Sequence, residues 1–409
     1  MKSLVLAGGF PQIALIKELK NRKIETVLAD YYENPVAKPY ADKFYKVSTL
    51  DIEAITEITR LENVDFLITA CTDQALNTVA CVSEKLGLPC YIDYQTALNV
   101  TNKQYMKKVF NEHGIPTAKH VIMGKLDEKK LDSMNYPLIV KPVDCNSSKG
   151  VKKVENIREL KIAFEKAVEY SRTDTAIVEE FIDGEELSVD VYVEDGVANV
   201  LSVSVLDKIA NNDKFVIFRG RYSADTVERV YELVQGIAQQ IADAFGLKNS
   251  PMLIQMITDG KRASVLEFSA RTGGGVKFRL IKKASGFDVI SAVVDLTLGN
   301  KPHVEKVVPE NRYIVNEFIY CSEGDFDHLE GFDELVTDGT VSEYSLYKWK
   351  GARFSTIENS GDRVAGFTIQ ADTDAEIRAK HKKAIARMRV CDVEGKDIMR
   401  RDILTEIQF

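Results

Sequence analysis

In Pro137-Leu138-Ile139-Val140-Lys141-Pro142 a lysine ends an apolar strand-like run, and Asn146-Ser147-Ser148-Lys149-Gly150-Val151 follows it. An ammonium group neutralises phosphate oxygens as a point charge, and a loop of small residues offers N–H groups and hydroxyls that close over a nucleoside triphosphate. The competing reading is an amphipathic strand-end lysine beside a solvated turn. Further on, Ile177-Val178-Glu179-Glu180-Phe181-Ile182-Asp183-Gly184-Glu185-Glu186-Leu187 sets carboxylates among apolar residues. Such a segment accepts a hydrogen bond from an adenine amino group, meets the ring edge with its backbone and reaches ribose hydroxyls through Glu186; as a charge run it equally reads as a solvated strand edge. In Val265-Leu266-Glu267-Phe268-Ser269-Ala270-Arg271-Thr272-Gly273-Gly274-Gly275, residues 267, 269 and 271 share one face of a strand. A carboxylate with phosphate oxygens suits Mg²⁺, Arg271 can clamp an acyl phosphate in bidentate fashion, and the glycines admit a substrate closely. A structural Glu–Arg pair above a glycine turn is the alternative.

The surrounding elements are legible from apolar periodicity. Ser3 to Ala7, a helical pattern at Ile13, Ile16 and Leu19, and Thr26 to Asp30 make a βαβ opening. Phe66 to Thr69 and Pro89 to Ile92 extend it into an open parallel sheet. From Leu138 onward, β-type runs predict an antiparallel, partly solvated sheet. A helix is expected over Asp225 to Phe245, a hairpin about Asp259-Gly260, β segments from Tyr313 to Gln370 and a charged helix from Asp374 to Val390. Gly8-Gly9 with Asp30 at a strand end gives only a fragment of a dinucleotide fingerprint, and a tight strand-to-helix turn is the preferred reading.

Composition narrows the class. Hydrophobic residues are 45% and charged residues 28% of the chain, a globular mixture, and the net charge of −8 argues against a nucleic-acid partner. No apolar run is long enough to cross a bilayer and the start lacks a signal peptide, so no membrane partner and a cytoplasmic location are expected. The six cysteines, Cys71, Cys81, Cys90, Cys145, Cys321 and Cys391, show no C-x-x-C pair and read as reduced, buried thiols; a disulfide framework or zinc site is not expected. Cys145, beside the phosphate loop, reads as packing rather than reactive. The histidines His113, His120, His303, His328 and His381 are dispersed and are expected on the surface or in loops; the single Trp349 reads as core filling.

Taken in order, these motifs resemble the ATP-grasp superfamily, in particular the carboxylate-amine ligases related to carbamoyl-phosphate synthase large subunit, biotin carboxylase and phosphoribosylglycinamide synthetase. The resemblance takes in Val100-Thr101-Asn102-Lys103-Gln104-Tyr105-Met106-Lys107, where such families place a first phosphate lysine, and Asn111 to Thr117 as the entry into the ATP-grasp fold. It implies an α/β and α+β multidomain chain: an N-terminal open parallel α/β (pre-ATP-grasp) domain over 1–100, an ATP-grasp domain over 101–305 with a mobile lid at about 120–183, and a small C-terminal α+β domain over 306–409. By resemblance, Lys103 and Lys141 meet the α and β phosphates; Ser147, Ser148 and Gly150 form the flap; Glu179, Glu180, Phe181 and Ile182 form the adenine hinge, with Glu186 on ribose. Glu267 is the metal-bridging acid. Arg271, with Gly273, Gly274 and Gly275, holds the acyl phosphate or the attacking carboxylate. Lys208, in Asp207-Lys208, approaches the transferring phosphate, and Arg219 and Arg221 are further candidate substrate contacts, although exposed arginines usually meet only solvent.

Two positions depart from the family pattern. Gln255 stands where many members carry a second metal-binding glutamate, and Ser269 where they carry asparagine. Both remain oxygen ligands for ATP-bound metal, but the loss of a formal charge weakens a second Mg²⁺. The reaction implied is attack by a substrate carboxylate on the γ-phosphate of ATP, then displacement of phosphate by an amine. The expected partners are small-molecule carboxylate and amine substrates, and a homodimer is the expected assembly. A phosphoribosylglycinamide synthetase or aminoimidazole ribonucleotide carboxylase-type activity is the enzymatic alternative, and an ATP-binding regulator without turnover is the alternative of another class.

Overall fold

The computed structural model describes residues 1–145, 149–209, 215–305 and 312–409. Lys2–Leu6 (β1), Glu25–Asp30 (β2), Lys43–Lys46 (β3) and Phe66–Ile68 (β4) form a parallel sheet in the order β3-β2-β1-β4. β1, β2 and β4 are almost wholly buried because helices cover both faces. Val5 and Leu28 pack with Leu15, Ile16 and Leu19 of Phe10–Asn21 (α1). The alternate residues Leu4, Leu6, Val27 and Ala29 pack with Ile55 of Ile52–Leu61 (α2) and Val79 and Val82 of Asp73–Leu86 (α3).

The βαβ opening is present, but residues 89–92 are not a strand. Their apolar side chains serve packing between units: Ile92 is buried in the large core cluster and the Tyr91 hydroxyl donates to Ala270 O at 3.1 Å. The fourth strand is β3, whose terminal lysines suit an unpaired edge. Asp30 closes the β1–α1 turn: its carboxylate accepts from Gly8 N at 2.6 Å and Tyr32 N at 2.7 Å. A Cβ on Gly8 would lie 2.6 Å from Pro35 Cβ. The glycine is thus a packing requirement.

Tyr94–Thr101 (α4) and Lys103–Glu112 (α5) lead into a small antiparallel sheet of His120–Met123 (β5), Leu138–Pro142 (β6), Lys152–Val154 (β7) and Ala176–Glu180 (β8), with Ile157–Tyr170 (α6) packed on it. Glu185–Glu194 (β9), Val197–Lys208 (β10) and Ile217–Ser223 (β11) are followed by Ala224–Ala244 (α7), whose N-cap Ser223 accepts from Thr226 N at 3.1 Å. Next come the hairpin of Ser250–Thr258 (β12) and Ala263–Ser269 (β13), then Lys277–Ser285 (α8) and Val289–Thr297 (α9). The hairpin turns where expected: Gly260 has φ +87° and the Asp259 side chain accepts from Lys261 N and Arg262 N.

The last segment contains Tyr313–Ile319 (β14), Gly324–Glu330 (β15), Phe332–Thr337 (α10), Glu343–Leu346 (β16), Arg353–Phe354 (β17), Ala365–Ala371 (β18), Asp374–Arg387 (α11) and Arg389–Asp392 (β19). β14, β18 and β16 continue the large antiparallel sheet, ordered β13-β12-β9-β10-β11-β14-β18-β16, while β17-β15-β19 form a separate small sheet. The charged helix stops at Arg387 because residues 389–392 pair with β15. Among the described residues, no helix is long and apolar enough to cross a membrane.

Candidate active site

A cleft of about 1040 Å³, open to solvent, lies between the β5-β8-β6-β7 sheet and the β13-β12-β9 end of the large sheet. Its walls are apolar at Ala118, Ile139, Ile182, Ile257 and Leu266, and its polar lining includes Lys103, Lys141, Lys208, Glu179, Glu186 and Glu267. Lys141 ends β6 and Glu267 lies on β13, so two separate sheets supply the charges that meet in one cavity.

Local folding explains each position. On β8 successive side chains take opposite faces. Glu179 turns inward, with Lys141 Nζ at 2.5 Å and Lys107 Nζ at 2.8 Å. Glu180 turns outward, and its carboxylate accepts from Asn135 N at 3.0 Å. Neither acid therefore offers its side chain to an adenine edge in this arrangement, whereas Phe181 and Ile182 line the cleft. Burial would raise the Glu179 pKa, but the two lysines outweigh it and hold the carboxyl at about 2. Glu179 in turn outweighs burial at Lys141 and raises its pKa, while burial dominates at Lys107 and lowers its pKa.

Lys103 opens α5, whose N-cap Asn102 accepts from Tyr105 N at 3.0 Å. Its ammonium lies 3.1 Å from Glu267 Oε2 and donates to Cys145 O at 2.8 Å. Burial opposes ionisation of Glu267, yet Lys103 and Lys141 draw its pKa below the ordinary value. Glu186 on β9 pairs with Lys208 and accepts from Gln255 Nε2 at 3.2 Å. Gln255 and Glu267 are register partners on β12 and β13, so both side chains rise from the same sheet face. Lys208 also lies 4.9 Å above the Phe215 ring.

The other expected residues lie outside this lining. Arg271 is bound by Asp73 of α3: Nε donates to Oδ1 at 2.7 Å and Nη2 to Oδ2. Ser269 hydrogen-bonds the same Asp73 instead of lining the cleft. Of the three glycines, Gly274 has open space at its Cβ position, whereas a Cβ on Gly273 would lie 2.9 Å from Lys277 Cγ and Gly275 has φ +67°. Gly150, also at positive φ, packs against Pro142 and Tyr170. Ser147 and Ser148 lie outside the described residues.

Several expectations need correction. Arg219 is 1% exposed and grips Glu317 through Nε and Nη2 at 2.7 and 2.8 Å, so it is a core ion pair and not a solvent-facing substrate contact. His381, expected at the surface, is buried beside that pair, 3.3 Å from Glu317 Oε1. Arg221 binds Asp207 at 2.9 Å. Trp349 does not fill a core; it lies at a second pocket against Tyr32, ring centroids 5.6 Å apart. Cys145 lines the cleft with its thiol pKa pushed up by burial, as suits an unreactive thiol.

Sequence reading missed Lys107 and Asp73. Lys107 had a signal: it follows Lys103 by four residues on one helix, hence on the same face. Asp73 had none, because its partner is 198 residues away.

Residues 134–279, which contribute most of this lining, match the family model described as ATP-grasp domain. This stretch of the chain is similar to an ATP-grasp domain. A formate-dependent phosphoribosylglycinamide formyltransferase of Sulfurisphaera tokodaii is 26% identical over 283 residues, 66% of this chain and 70% of that protein. Among solved structures, the L-amino acid ligase from Bacillus licheniformis superposes with TM-score 0.77 at 20% identity, covering 96% of this chain and 99% of that one. Phosphoribosylglycinamide synthetase from Anaerococcus prevotii gives TM-score 0.75 at 20% identity with the same coverage. These two likenesses show the fold. The chain spans between 16% and 77% of the length of the curated relatives it matches.

The cleft fits a nucleotide by its lining, which combines apolar walls at Ile139, Ile182 and Leu266 with the ammonium groups of Lys103, Lys141 and Lys208. Glu267 and Gln255 offer oxygen atoms where a divalent cation would meet phosphate.

Proposed function

We propose that the chain is an ATP-dependent ligase that activates a small-molecule carboxylate as an acyl phosphate and couples it to an amine, with release of ADP and phosphate. The observation that supports this reading best is the meeting of Lys141 and Glu267, from two different sheets, in one cleft with Lys103 and Lys208. ATP supplies the phosphoryl group and Mg²⁺ the positive charge against which it is transferred.

In this reading Phe181, Ile182 and Leu266 hold the adenine. Lys103 exchanges Glu267 for phosphate oxygens, Lys141 keeps Glu179 and turns its remaining N–H donors to them, and Glu267, once released from Lys103, would hold the cation with Gln255. Glu179 stays between Lys107 and Lys141 and keeps Lys141 aimed into the cleft. Lys208 exchanges its partner Glu186 for the oxygens of the phosphoryl group in flight, and Glu186 turns to the ribose hydroxyls. Arg271, held by Asp73 and by Thr272 O, which accepts from its Nη1 at 2.8 Å, turns its remaining N–H groups to the substrate carboxylate beside Gly274. The small sheet and the Gly150 turn exclude water from the acyl phosphate.

The names of the relatives support a purine-type amine as a second reading, because the formyltransferase acts in that chemistry by its printed name. We further propose a cytoplasmic location, a homodimer, and domains at 1–100, 101–305 and 306–409. The deciding experiment is incubation with ATP, Mg²⁺ and pools of amino acids, with phosphate release and product mass measured together. Phosphate release that requires both a carboxylate and an amine, with a condensed product, supports the ligase. Saturable ATP binding without turnover in any pool would replace it with the regulator.

A further inference from the structure

The small β17-β15-β19 sheet, outside the candidate active site, carries a second cluster of chemically able side chains. β15 and β19 pair antiparallel with His328 opposite Cys391, and Glu330 follows His328 by two residues on the same strand face. One nitrogen, one carboxylate oxygen and one sulfur from these three residues lie within 4.8 Å of one another. His328 Nε2 is 3.2 Å from Glu330 Oε1. Its other nitrogen, Nδ1, is 2.8 Å from Asp327 Oδ2, and Asp327 is fixed in turn by Lys350 at 2.6 Å.

That last contact distinguishes the cluster from a chance grouping of polar residues. Each ring nitrogen faces a carboxylate, Nδ1 that of Asp327 and Nε2 that of Glu330; when an ion takes the place of the Nε2 proton, Asp327 still holds the proton on Nδ1 and keeps the ring turned toward Glu330 and Cys391. Metal-binding histidines are oriented in the same way, by a carboxylate on the nitrogen that does not ligate. Glu330 is likewise positioned: its Oε2 accepts from Arg389 Nη1 at 2.6 Å, which leaves Oε1 toward the cluster.

We propose that His328, Glu330 and Cys391 form a zinc site that clips β15 to β19. An imidazole, a thiolate and a carboxylate together suit a borderline-soft ion, whereas Mg²⁺ and Ca²⁺ favour shells of oxygen alone. Bonds of about 2.0–2.3 Å to a tetrahedral ion set the donor atoms roughly 3.3–3.8 Å apart, so the cluster contracts by about 1 Å on binding. His328 is exposed and Glu330 half-buried, so the ion enters from solvent and water completes the fourth position. On binding, Cys391 releases its thiol proton and His328 its Nε2 proton to solvent, so that His328 ligates as the neutral imidazole with its remaining proton on Nδ1. The site stands independently of the proposed ligase activity, and its failure would leave that reading untouched.

The test uses the full chain, stripped with chelator and titrated with Co²⁺ as a spectroscopic probe, then with Zn²⁺ in competition. One equivalent of Co²⁺ should give a thiolate-to-cobalt charge-transfer band that Zn²⁺ abolishes. The band should vanish in Cys391→Ser and persist in Cys145→Ser and Cys321→Ser. Because Cys391 is buried and its replacement can disturb folding, His328→Gln on the exposed side is the second arm, and it should also lose the band. Asp327→Asn should keep the band but weaken Zn²⁺ binding by about 10-fold to 100-fold, the effect of losing a partner that orients a ligand. No band in the wild type, or a band that survives in both Cys391→Ser and His328→Gln, overturns the site.

Discussion

Arg271, in the segment after β13, and Asp73, at the start of α3, form a two-point ion pair that joins the parallel sheet's helix layer to the end of the β12–β13 hairpin. Both side chains are largely shielded from solvent. Burial alone would raise the Asp73 pKa, but the guanidinium draws it below the ordinary carboxylate value. A fork-on-carboxylate geometry also fixes which way the remaining Arg271 donor edge points.

Asp73→Asn therefore leaves a buried cation without its charge partner. Removal of one member of a buried pair costs about 3–5 kcal/mol, so the denaturant midpoint should fall accordingly. ATP affinity should stay near wild type, because Asp73 is outside the nucleotide cleft, while carboxylate-dependent phosphate release should be lost. An Asp73→Asn protein with wild-type turnover would sink the positioning role of Asp73.

Glu179 makes acid sensitivity predictable. Its carboxyl is lowered from 4.5 to about 2, burial being outweighed by Lys107 and Lys141. A group held below its unfolded value contributes stability that is fully present above about pH 4.5 and disappears as pH falls through about 2. Urea midpoints should therefore drop across that window in the wild type. In Glu179→Gln they should start lower at neutral pH and show a shallower fall. Parallel curves for the two proteins would refute the assignment.

Legibility followed the range of the interactions. Lys141 and Glu267 were readable because each sits in an apolar strand, where a lone charge at a strand end has few meanings and period-two alternation says which neighbours share its face. All of Lys103, Lys141, Glu179, Glu180, Phe181, Ile182, Glu186, Lys208, Gln255 and Glu267 line one cavity. What local pattern does not encode is the partner. The turn of Glu179 toward two lysines, the burial of Arg219 against Glu317 98 residues away and the grip of Asp73 on Arg271 all depend on elements that meet only after folding. Residues 89–92 show the same limit, since an apolar run announces burial without saying whether a sheet or a domain contact supplies it.

Lys208 tests where chemistry occurs in the cleft. Its ammonium pairs with Glu186 and sits over Phe215. If it stabilises charge only as phosphate transfers, Lys208→Met should lower kcat by about 10²–10³, the usual effect of losing one preorganised donor, with little change in ATP Kd. A variant in which ATP Kd rises while kcat holds would assign Lys208 to ground-state binding instead.

Gln255→Glu examines the metal shell directly. Gln255 Nε2 donates to Glu186 at 3.2 Å in the resting cleft, so a glutamate there replaces that donor with a second carboxylate facing the first. The like charges disfavour each other, and without metal the variant should be less stable than wild type by about 1–3 kcal/mol, the cost of a lost partner at a partly buried acceptor. Mg²⁺ removes that repulsion and gains a charged ligand in place of a neutral one, which raises its affinity. ATP binding followed over a range of Mg²⁺ concentrations should thus reach half-maximum at lower Mg²⁺ in Gln255→Glu than in wild type, with the larger thermal shift on adding Mg²⁺ and ATP together. Superimposable Mg²⁺ curves would mean that residue 255 stands outside the metal shell and that Glu267 holds the cation without it.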